Sequence, residues 1–265
     1  MMSDVTNPIP IPNPNHDQPA RAERSLASRE PVAPYWHTGG ILLLMTLVAV
    51  LSALGYKGRP ASPMTSYVST LIWQWALFAL VIFGVRRKGL KLGDLLGRRW
   101  RGFDDVLMDL VYAAGFFIVS KLVLAVTVVA AMKALQLPDD TFTLKKSMEA
   151  VSSLTPRTAA EVVMWIGLSI TAGIVEEVVF RGYLQRQFTA LTRNASAGIF
   201  LSALIFGSAH AYQGFLQVTI IALLGAMFGV LAYWRDSLKP GILAHAGQDI
   251  FSGLALSWLS RNLSP

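Results

Sequence analysis

Long stretches without charge are the feature of this sequence that most restricts its fold. Residues 194–234 contain no Lys, Arg, Asp or Glu, and neither do residues 60–85. The first of these stretches is long enough for two membrane-spanning helices of about 20 residues each. Only 15% of the residues are charged and 53% are hydrophobic, whereas about a quarter of the residues in an average soluble domain are charged. The chain is therefore expected to reside in a membrane.

Seven apolar segments predict an all-α fold, namely a polytopic transmembrane helical bundle of about seven spans. Backbone polar groups in lipid must be paired within the segment itself, so apolar spans of this length form helices. In the sixth segment, Gly225 and Gly229 form a GxxxG pattern, which favours close packing against a neighbouring helix. The expected spans cover roughly residues 38–56, 64–85, 106–132, 158–185, 195–211, 214–234 and 241–259.

Residues 1–36 differ in composition from the rest of the chain. They are rich in proline and contain no long apolar segment. They are therefore expected to form a disordered, Pro-rich cytoplasmic tail. Residues 37–265 form the expected membrane domain, within which residues 158–259 carry the motifs described below.

The placement of the basic residues predicts the orientation of the chain. The loop after the second span is strongly basic and is cytoplasmic under the positive-inside rule; its basic residues are Arg86, Arg87, Lys88, Lys91, Arg98, Arg99 and Arg101. Alternation of the spans then puts the N-terminus in the cytoplasm, and a prokaryotic-style cytoplasmic membrane is expected. Much of the net charge of +7 therefore orients the protein, so the expected partner is the lipid bilayer and not nucleic acid.

The ionisable residues inside the expected spans are few and lie mostly in the C-terminal part of the chain. Because a charge in the bilayer is costly, each of them is a candidate functional group. Glu177 and Arg181 are four residues apart, acid first, which favours an ion pair on one helix face. Glu176 points about 100° away around the helix and remains available as a general base. His245 and Asp249 also share a face. The absence of cysteine excludes disulfides, thiolate metal sites and cysteine catalysis.

Three motifs in these segments resemble those of the CPBP intramembrane proteases, a group that includes the type 2 CAAX prenyl endopeptidases and Abi-like proteins. The first, EEVVFR at residues 176–181, matches the family's EExxxR. The second, FGSAH at 206–210, matches FxxxH, and the third, HAGQD at 245–249, matches HxxxN/D. All three occur in the family's order on apolar segments, and the resemblance covers roughly residues 158–259.

The resemblance implies an intramembrane endopeptidase that hydrolyses a peptide bond of a membrane-associated or lipidated protein or peptide. In such a site, Glu176 would activate a water molecule, with His210 as its partner. Glu177 and Arg181 would form the orienting pair. His245, together with the Asn or Asp four residues later, would stabilise the oxyanion of the tetrahedral intermediate.

The role of Asp249 has several interpretations. An ionised Asp249 would repel an oxyanion, whereas an asparagine would donate a hydrogen bond to it. Asp249 could act in its protonated form, or it could orient His245. It could also join Glu176, His210 and His245 as ligands of a catalytic Zn²⁺ with an open position. The favoured metal-free mechanism, in which a glutamate activates water, requires no cofactor, and zinc is the alternative.

The fifth span presents a geometric difficulty. Straight, fully spanning helices would separate His210 from His245 by roughly 10 Å or more. The span 195–211 is short, so we expect it to be tilted, or the chain to be broken near residues 212–215.

Two further functions are compatible with the sequence. A non-catalytic membrane scaffold or immunity protein on the same fold would use these polar residues only for structure. A proton-coupled transporter would use the carboxylates as a proton relay, although the internal repeat found in many carriers is not visible here. No residue indicates the substrate or the oligomeric state.

Overall fold

The protein is almost entirely helical. A computed structural model describes residue 26 and residues 28–55, 62–136, 138 and 154–262, apart from the side chains of residues 52–55. Within these residues the only strand-like pairing is an isolated β-bridge between Gly97 and Ser237, so the predicted all-α fold is confirmed for the described part of the chain. The helices are α1 (Tyr35–Gly55), α2 (Pro63–Arg86), α3 (Leu92–Leu96), α4 (Phe103–Ala134), α5 (Ala159–Glu176), a π-helix (Glu177–Gln185), α6 (Arg186–Thr192), α7 (Ala195–Ser208), a 3₁₀ turn (Ala211–Gln213), α8 (Phe215–Arg235) and α9 (Lys239–Asn262).

Each of the seven predicted segments contains a helix, but seven membrane spans are not confirmed. Among the described residues, four helical segments are long and apolar enough to cross a membrane: Pro63–Arg86, Phe103–Ala134, Ala159–Thr192 and Phe215–Arg235. The apolar part of α1 and the whole of α7 are shorter, and the continuous helix α9 carries the polar residues His245, Gln248 and Asp249. The long apolar helices indicate an integral membrane protein.

Local sequence signals set the ends of the helices that lead into the site. The Thr158 hydroxyl accepts a hydrogen bond from the Glu161 N–H at 3.2 Å, and the Glu161 carboxylate accepts one from the Thr158 N–H at 3.0 Å. This capping box starts α5. Asn194 caps α7 by accepting from the Ala197 N–H, and Arg193 before it has a left-handed backbone with a φ of 55°. That turn lets α7 fold back directly after α6.

The continuous segment formed by α5, the π-helix and α6 runs through the centre of the bundle. Its first part packs against α2 and α9, its second part packs against α7, and α7 packs against α8. A Cβ added at Gly173 would lie 2.9 Å from the Ile242 carbonyl oxygen. Glycine at this position therefore lets α5 and α9 approach each other closely, and this approach brings the motifs of the two helices together.

The GxxxG pattern lies where α8 meets α7 and the π-helix. A Cβ at Gly225 would lie 2.8 Å from the Phe206 ring, and one at Gly229 would lie 2.7 Å from Gln185 Oε1. The carbonyl oxygens of the two glycines accept hydrogen bonds from Arg181 and Gln185. The predicted close helix packing is confirmed, and it also supplies acceptors for two buried side chains.

The N-terminal segment differs from its prediction in the part that can be described. Of the tail predicted over residues 1–36, residues 1–25 and 27 lie outside the described residues. Val32 and Ala33 are buried, and both of their N–H groups donate to Gln187 Oε1, at 2.7 and 3.3 Å. The prediction of disorder is therefore wrong for this stretch, because a buried side chain of α6 satisfies its backbone.

Candidate active site

A π-helix carries most of the first motif. The α-helical hydrogen bonding of α5 changes at Glu177 to the wider i→i+5 pattern, and all residues of the π-helix are buried. Such turns are rare and occur frequently at functional sites. The sequence predicted an ordinary helix here, because the spacing of Glu177 and Arg181 is compatible with both helix types.

Arg181 and Glu177 form the predicted ion pair. Arg181 Nη1 lies 2.9 Å from Glu177 Oε1, and the two side chains are 1% and 0% exposed. Arg181 Nη2 donates to the Gly225 carbonyl oxygen at 3.0 Å. The guanidinium group also lies over the rings of Phe206 and Phe228, at 4.4 and 5.1 Å from their centroids. Aromatic faces and one carbonyl group therefore enclose the cation on the sides away from Glu177.

His245 lies between this ion pair and the carboxylates of Glu176 and Asp249. Its Nδ1 lies 3.0 Å from the same Glu177 Oε1. Because an ionised carboxylate only accepts hydrogen bonds, Nδ1 is the donor in this pair. The imidazole stacks on Phe228 with ring centroids 5.2 Å apart. Its Nε2 lies 3.8 Å from Glu176 Oε2 and 3.7 Å from Asp249 Oδ2, which is close enough for electrostatic contact but too far for direct hydrogen bonds.

Glu176 occupies a different environment from its neighbour. Its side chain is 17% exposed, whereas that of Glu177 is fully buried. Glu176 Oε1 accepts a hydrogen bond from Gln74 Nε2 at 3.0 Å, while the ion pair of Arg181 goes to Glu177. The separation of the two carboxylates predicted from the helical angle is confirmed. Glu177 is buried in its ion pair with Arg181, whereas Glu176 is partly exposed and has a different partner.

His210 lies just beyond the end of α7, where the chain changes from the α-helix to the 3₁₀ turn. Either a tilt of the short fifth span or a break near residues 212–215 was expected to bring His210 near His245, and the structure shows a helix end here. His210 Nδ1 lies 2.9 Å from the Phe206 carbonyl oxygen; it donates to this oxygen, which leaves Nε2 available. The Phe206 ring contacts the rings of both His210 and His245, with centroids 5.1 and 6.1 Å apart. Phe206 therefore joins the second and third motifs.

These residues meet at a cavity of about 760 Å³, which is within the range of small-molecule and peptide pockets. Glu176, His210, His245 and Asp249 all line it, as do apolar side chains of α1, α2, α5 and α8. Glu177 and Arg181 are buried behind the residues that line the cavity. Four of the six predicted site residues thus share one cavity and the other two support it from behind, although their catalytic roles stay predictions.

Two residues of the site, Trp165 and Gln74, belong to none of the three motifs. Trp165 fits an interfacial aromatic belt by its position, but its Nε1 donates to the Asp249 carbonyl oxygen at 2.9 Å and its ring lines the cavity. Gln74 belongs to no motif. Its one sequence signal is an amide side chain in the middle of the charge-free stretch 60–85, where a polar group needs a partner.

The predicted zinc set gains no support from the geometry. Among the described residues, no group of three or more His, Asp and Glu side chains is arranged to hold a metal ion. The description as a metalloprotease is therefore unsupported, and zinc stays the alternative to the metal-free mechanism, to be tested by a direct measurement.

Comparison with protein families identifies the part of the chain that carries the site. A family model described as Type II CAAX prenyl endopeptidase Rce1-like matches residues 158–251. These residues form an Rce1-like domain. The resemblance to the CPBP proteases inferred from the three motifs is thereby confirmed. The Rce1-like domain covers less than half of the chain and contains all six predicted site residues, whereas Gln74 lies outside it. Searches of curated proteins and of solved structures found no match to this chain.

Proposed function

We propose that this protein is an intramembrane endopeptidase that hydrolyses a peptide bond of a membrane-associated or lipidated protein or peptide. The observation that carries the proposal is the buried series Arg181–Glu177–His245, which points His245 Nε2 toward the cavity beside the Glu176 carboxylate. A purely structural ion pair has no need of a second carboxylate and a second histidine facing a cavity of this size.

In this mechanism Glu176 is the general base. It removes a proton from a water molecule, whose oxygen then attacks the carbonyl carbon of the scissile peptide bond. His210 assists from the same cavity through its free Nε2. When the C–N bond breaks, the proton held by Glu176 passes to the leaving amine. A membrane-embedded base is useful here because the low-dielectric surroundings strengthen every electrostatic contact with the transition state.

His245 and Asp249 stabilise the oxyanion of the tetrahedral intermediate. Glu177 holds Nδ1 of His245 at 3.0 Å, so Nε2 is the atom that can donate into the cavity when the ring carries both protons. Asp249 lies 3.7 Å from Nε2 and donates to the oxyanion in its protonated form. The direct hydrogen bond from His245 to Glu177 makes Glu177, rather than Asp249, the residue that orients the ring.

We further propose that the chain lies in the cytoplasmic membrane with its N-terminus in the cytoplasm. The charged pair of Arg235 and Asp109 and the contact of Lys239 with the Arg98 carbonyl group charged residues beside the basic loop, as expected at a cytoplasmic interface. The protein would meet its substrate within the bilayer, because apolar side chains line much of the cavity.

The test is a cleavage assay in proteoliposomes with membrane-anchored peptides, comparing the wild type with Glu176→Gln and Glu161→Gln. Glu161 is a matched control, because it lies on the same helix, caps its N-terminus and can be replaced by glutamine in a capping box. We expect Glu176→Gln to lower the cleavage rate by at least about 10³-fold, since the base is lost, and Glu161→Gln to retain it.

Other outcomes favour the competing functions. Cleavage by Glu176→Gln at the wild-type rate contradicts the role of Glu176 as the general base. Membrane-anchored peptides that stay intact with the wild type as well as with the variant leave a scaffold or immunity role. Proton-coupled flux that needs Glu176 while every peptide stays intact indicates a transporter.

A further inference from the structure

Gln74 is a buried polar side chain that none of the three motifs explains. It lies on α2, outside the Rce1-like domain, and is 5% exposed. Its side chain lines the same cavity as Glu176, His245 and Asp249. A buried amide among apolar residues needs a structural or functional reason, because burial removes its hydrogen bonds to water.

The hydrogen bond to Glu176 fixes the orientation of the Gln74 amide. An ionised carboxylate can only accept, so the NH₂ group of Gln74 faces Glu176 Oε1, at 3.0 Å. The amide oxygen then points away, and Gln74 Oε1 is buried without a hydrogen-bond partner among the described residues. The side chain therefore leaves its own acceptor unsatisfied while its donor holds Glu176.

Because of this hydrogen bond, the two carboxylate oxygens of Glu176 have different surroundings. Gln74 occupies Oε1, whereas Oε2 faces His245 Nε2 at 3.8 Å. The hydrogen bond from Gln74 thus holds the carboxylate of Glu176, while the ion pair of Arg181 is made with Glu177. The oxygen left for proton transfer is the one that faces the oxyanion-stabilising histidine.

We propose that Gln74 is a positioning residue that fixes the carboxylate of the general base and directs Glu176 Oε2 toward the reacting water. This inference rests on the proposed function. Gln74 acts through Glu176 and has no contact of its own with the reacting atoms. Its loss should therefore lower kcat much more than it changes KM, since its amide holds the carboxylate of the base and not the substrate.

The matched control is Gln185, a second buried glutamine. Gln185 Nε2 donates to the Gly229 carbonyl oxygen at 3.1 Å, and its Oε1 is likewise buried without a partner among the described residues. Replacing either residue by leucine removes one buried amide and one hydrogen bond. Only Gln74 contacts the carboxylate of the proposed base.

The experiment measures kcat, KM and the pH profile of the full chain in proteoliposomes, using a peptide that the wild type cleaves. We expect Gln74→Leu to lower kcat by about tenfold or more with KM within about twofold of the wild type. We expect the kcat of Gln185→Leu to stay within about twofold. Gln74→Glu keeps the shape but puts two carboxylates side by side, so one of them takes up a proton. The acid limb of its kcat profile should then move to higher pH.

Three results would overturn the proposal. They are a wild-type kcat in Gln74→Leu, an equal loss of kcat in Gln74→Leu and Gln185→Leu, and an unshifted pH profile in Gln74→Glu. Failure of the proposed function gives a different result, because membrane-anchored peptides then stay intact with the wild type, or Glu176→Gln cleaves as fast as the wild type. A loss of cleavage in Glu176→Gln combined with a normal Gln74→Leu variant rejects the positioning role alone.

Discussion

Replacing Arg181 by methionine tests how the site is held together. Arg181→Met keeps a long, flexible side chain but removes the cation that faces Glu177 Oε1 at 2.9 Å. It also removes the hydrogen bond to the Gly225 carbonyl oxygen. Glu177 would keep only its contact with His245, because Glu177 Oε2 is buried without a hydrogen-bond partner among the described residues.

The expected loss of stability follows from the burial of the Arg181–Glu177 pair. With side chains 1% and 0% exposed, water cannot replace the lost cation, and breaking a buried pair from one side costs about 3–5 kcal/mol. For a domain of about 150–250 residues, each kcal/mol corresponds to about 2–4 °C in Tm. We therefore expect Arg181→Met to lower the Tm by on the order of 10 °C.

The assay is thermal unfolding of the purified protein in detergent, with Arg98→Met as the matched control. Arg98 pairs with Asp105 at 3.3 Å, but its side chain is 43% exposed. Such surface pairs contribute about 0–1 kcal/mol, so Arg98→Met should change the Tm by at most a few degrees.

Two results would refute this reasoning. The first is an Arg181→Met variant that melts within about 2 °C of the wild type, since a buried carboxylate without its cation should lower the free energy of unfolding by more than that shift implies. The second concerns the double variant Arg181→Met/Glu177→Met, which removes both charges and should be more stable than Arg181→Met alone. A double variant that is less stable than Arg181→Met would mean that the unpaired buried charge of Glu177 is not the cause of the lower Tm.

Two further predictions concern the chemistry of the cavity. Asp249→Asn should keep or raise kcat, with the largest gain at alkaline pH, because asparagine donates a hydrogen bond at every pH whereas an ionised aspartate repels the oxyanion. Profiles of kcat against pH measure this effect. An Asp249→Asn variant as inactive as Asp249→Ala contradicts the role of Asp249 as a hydrogen-bond donor to the oxyanion. The glutamate mechanism predicts substoichiometric zinc in the purified protein and unchanged cleavage after treatment with a chelator; stoichiometric zinc that His210→Ala loses would favour the metal alternative.

The ion pair of Glu177 and Arg181 was predictable from the sequence, because it depends on local geometry. Two residues four apart on a helix face the same side whatever surrounds them. The end of α7 near His210 was one of two expectations, because straight, fully spanning helices would leave His210 roughly 10 Å or more from His245, and either a tilt or a break would close that gap. In contrast, the widening of the helix at Glu177 depends on what packs around it, and the spacing of the motif does not reveal it.

The N-terminal segment and Gln74 illustrate what local pattern cannot predict. The composition of residues 1–36 is typical of a disordered tail, yet Gln187, far along the chain, accepts hydrogen bonds from Val32 and Ala33. Gln74 reaches Glu176 across 102 positions of the sequence. Each of these contacts needs two distant segments to be adjacent, and no periodicity in either segment encodes that neighbour.

The sequence by itself determined that the chain is helical and suited to a membrane, because charge-free segments of this length must pair their backbone groups internally in lipid. It also determined which side chains are chemically notable, because ionisable groups are rare in such segments. Only the tertiary structure decided which partners surround each of these groups. Glu177 is fully enclosed and holds Arg181 and His245, whereas Glu176 faces the cavity beside Gln74. The two glutamates are adjacent in sequence, and they differ in burial because the side chain of Glu177 lies against Arg181 and His245 whereas that of Glu176 faces the cavity.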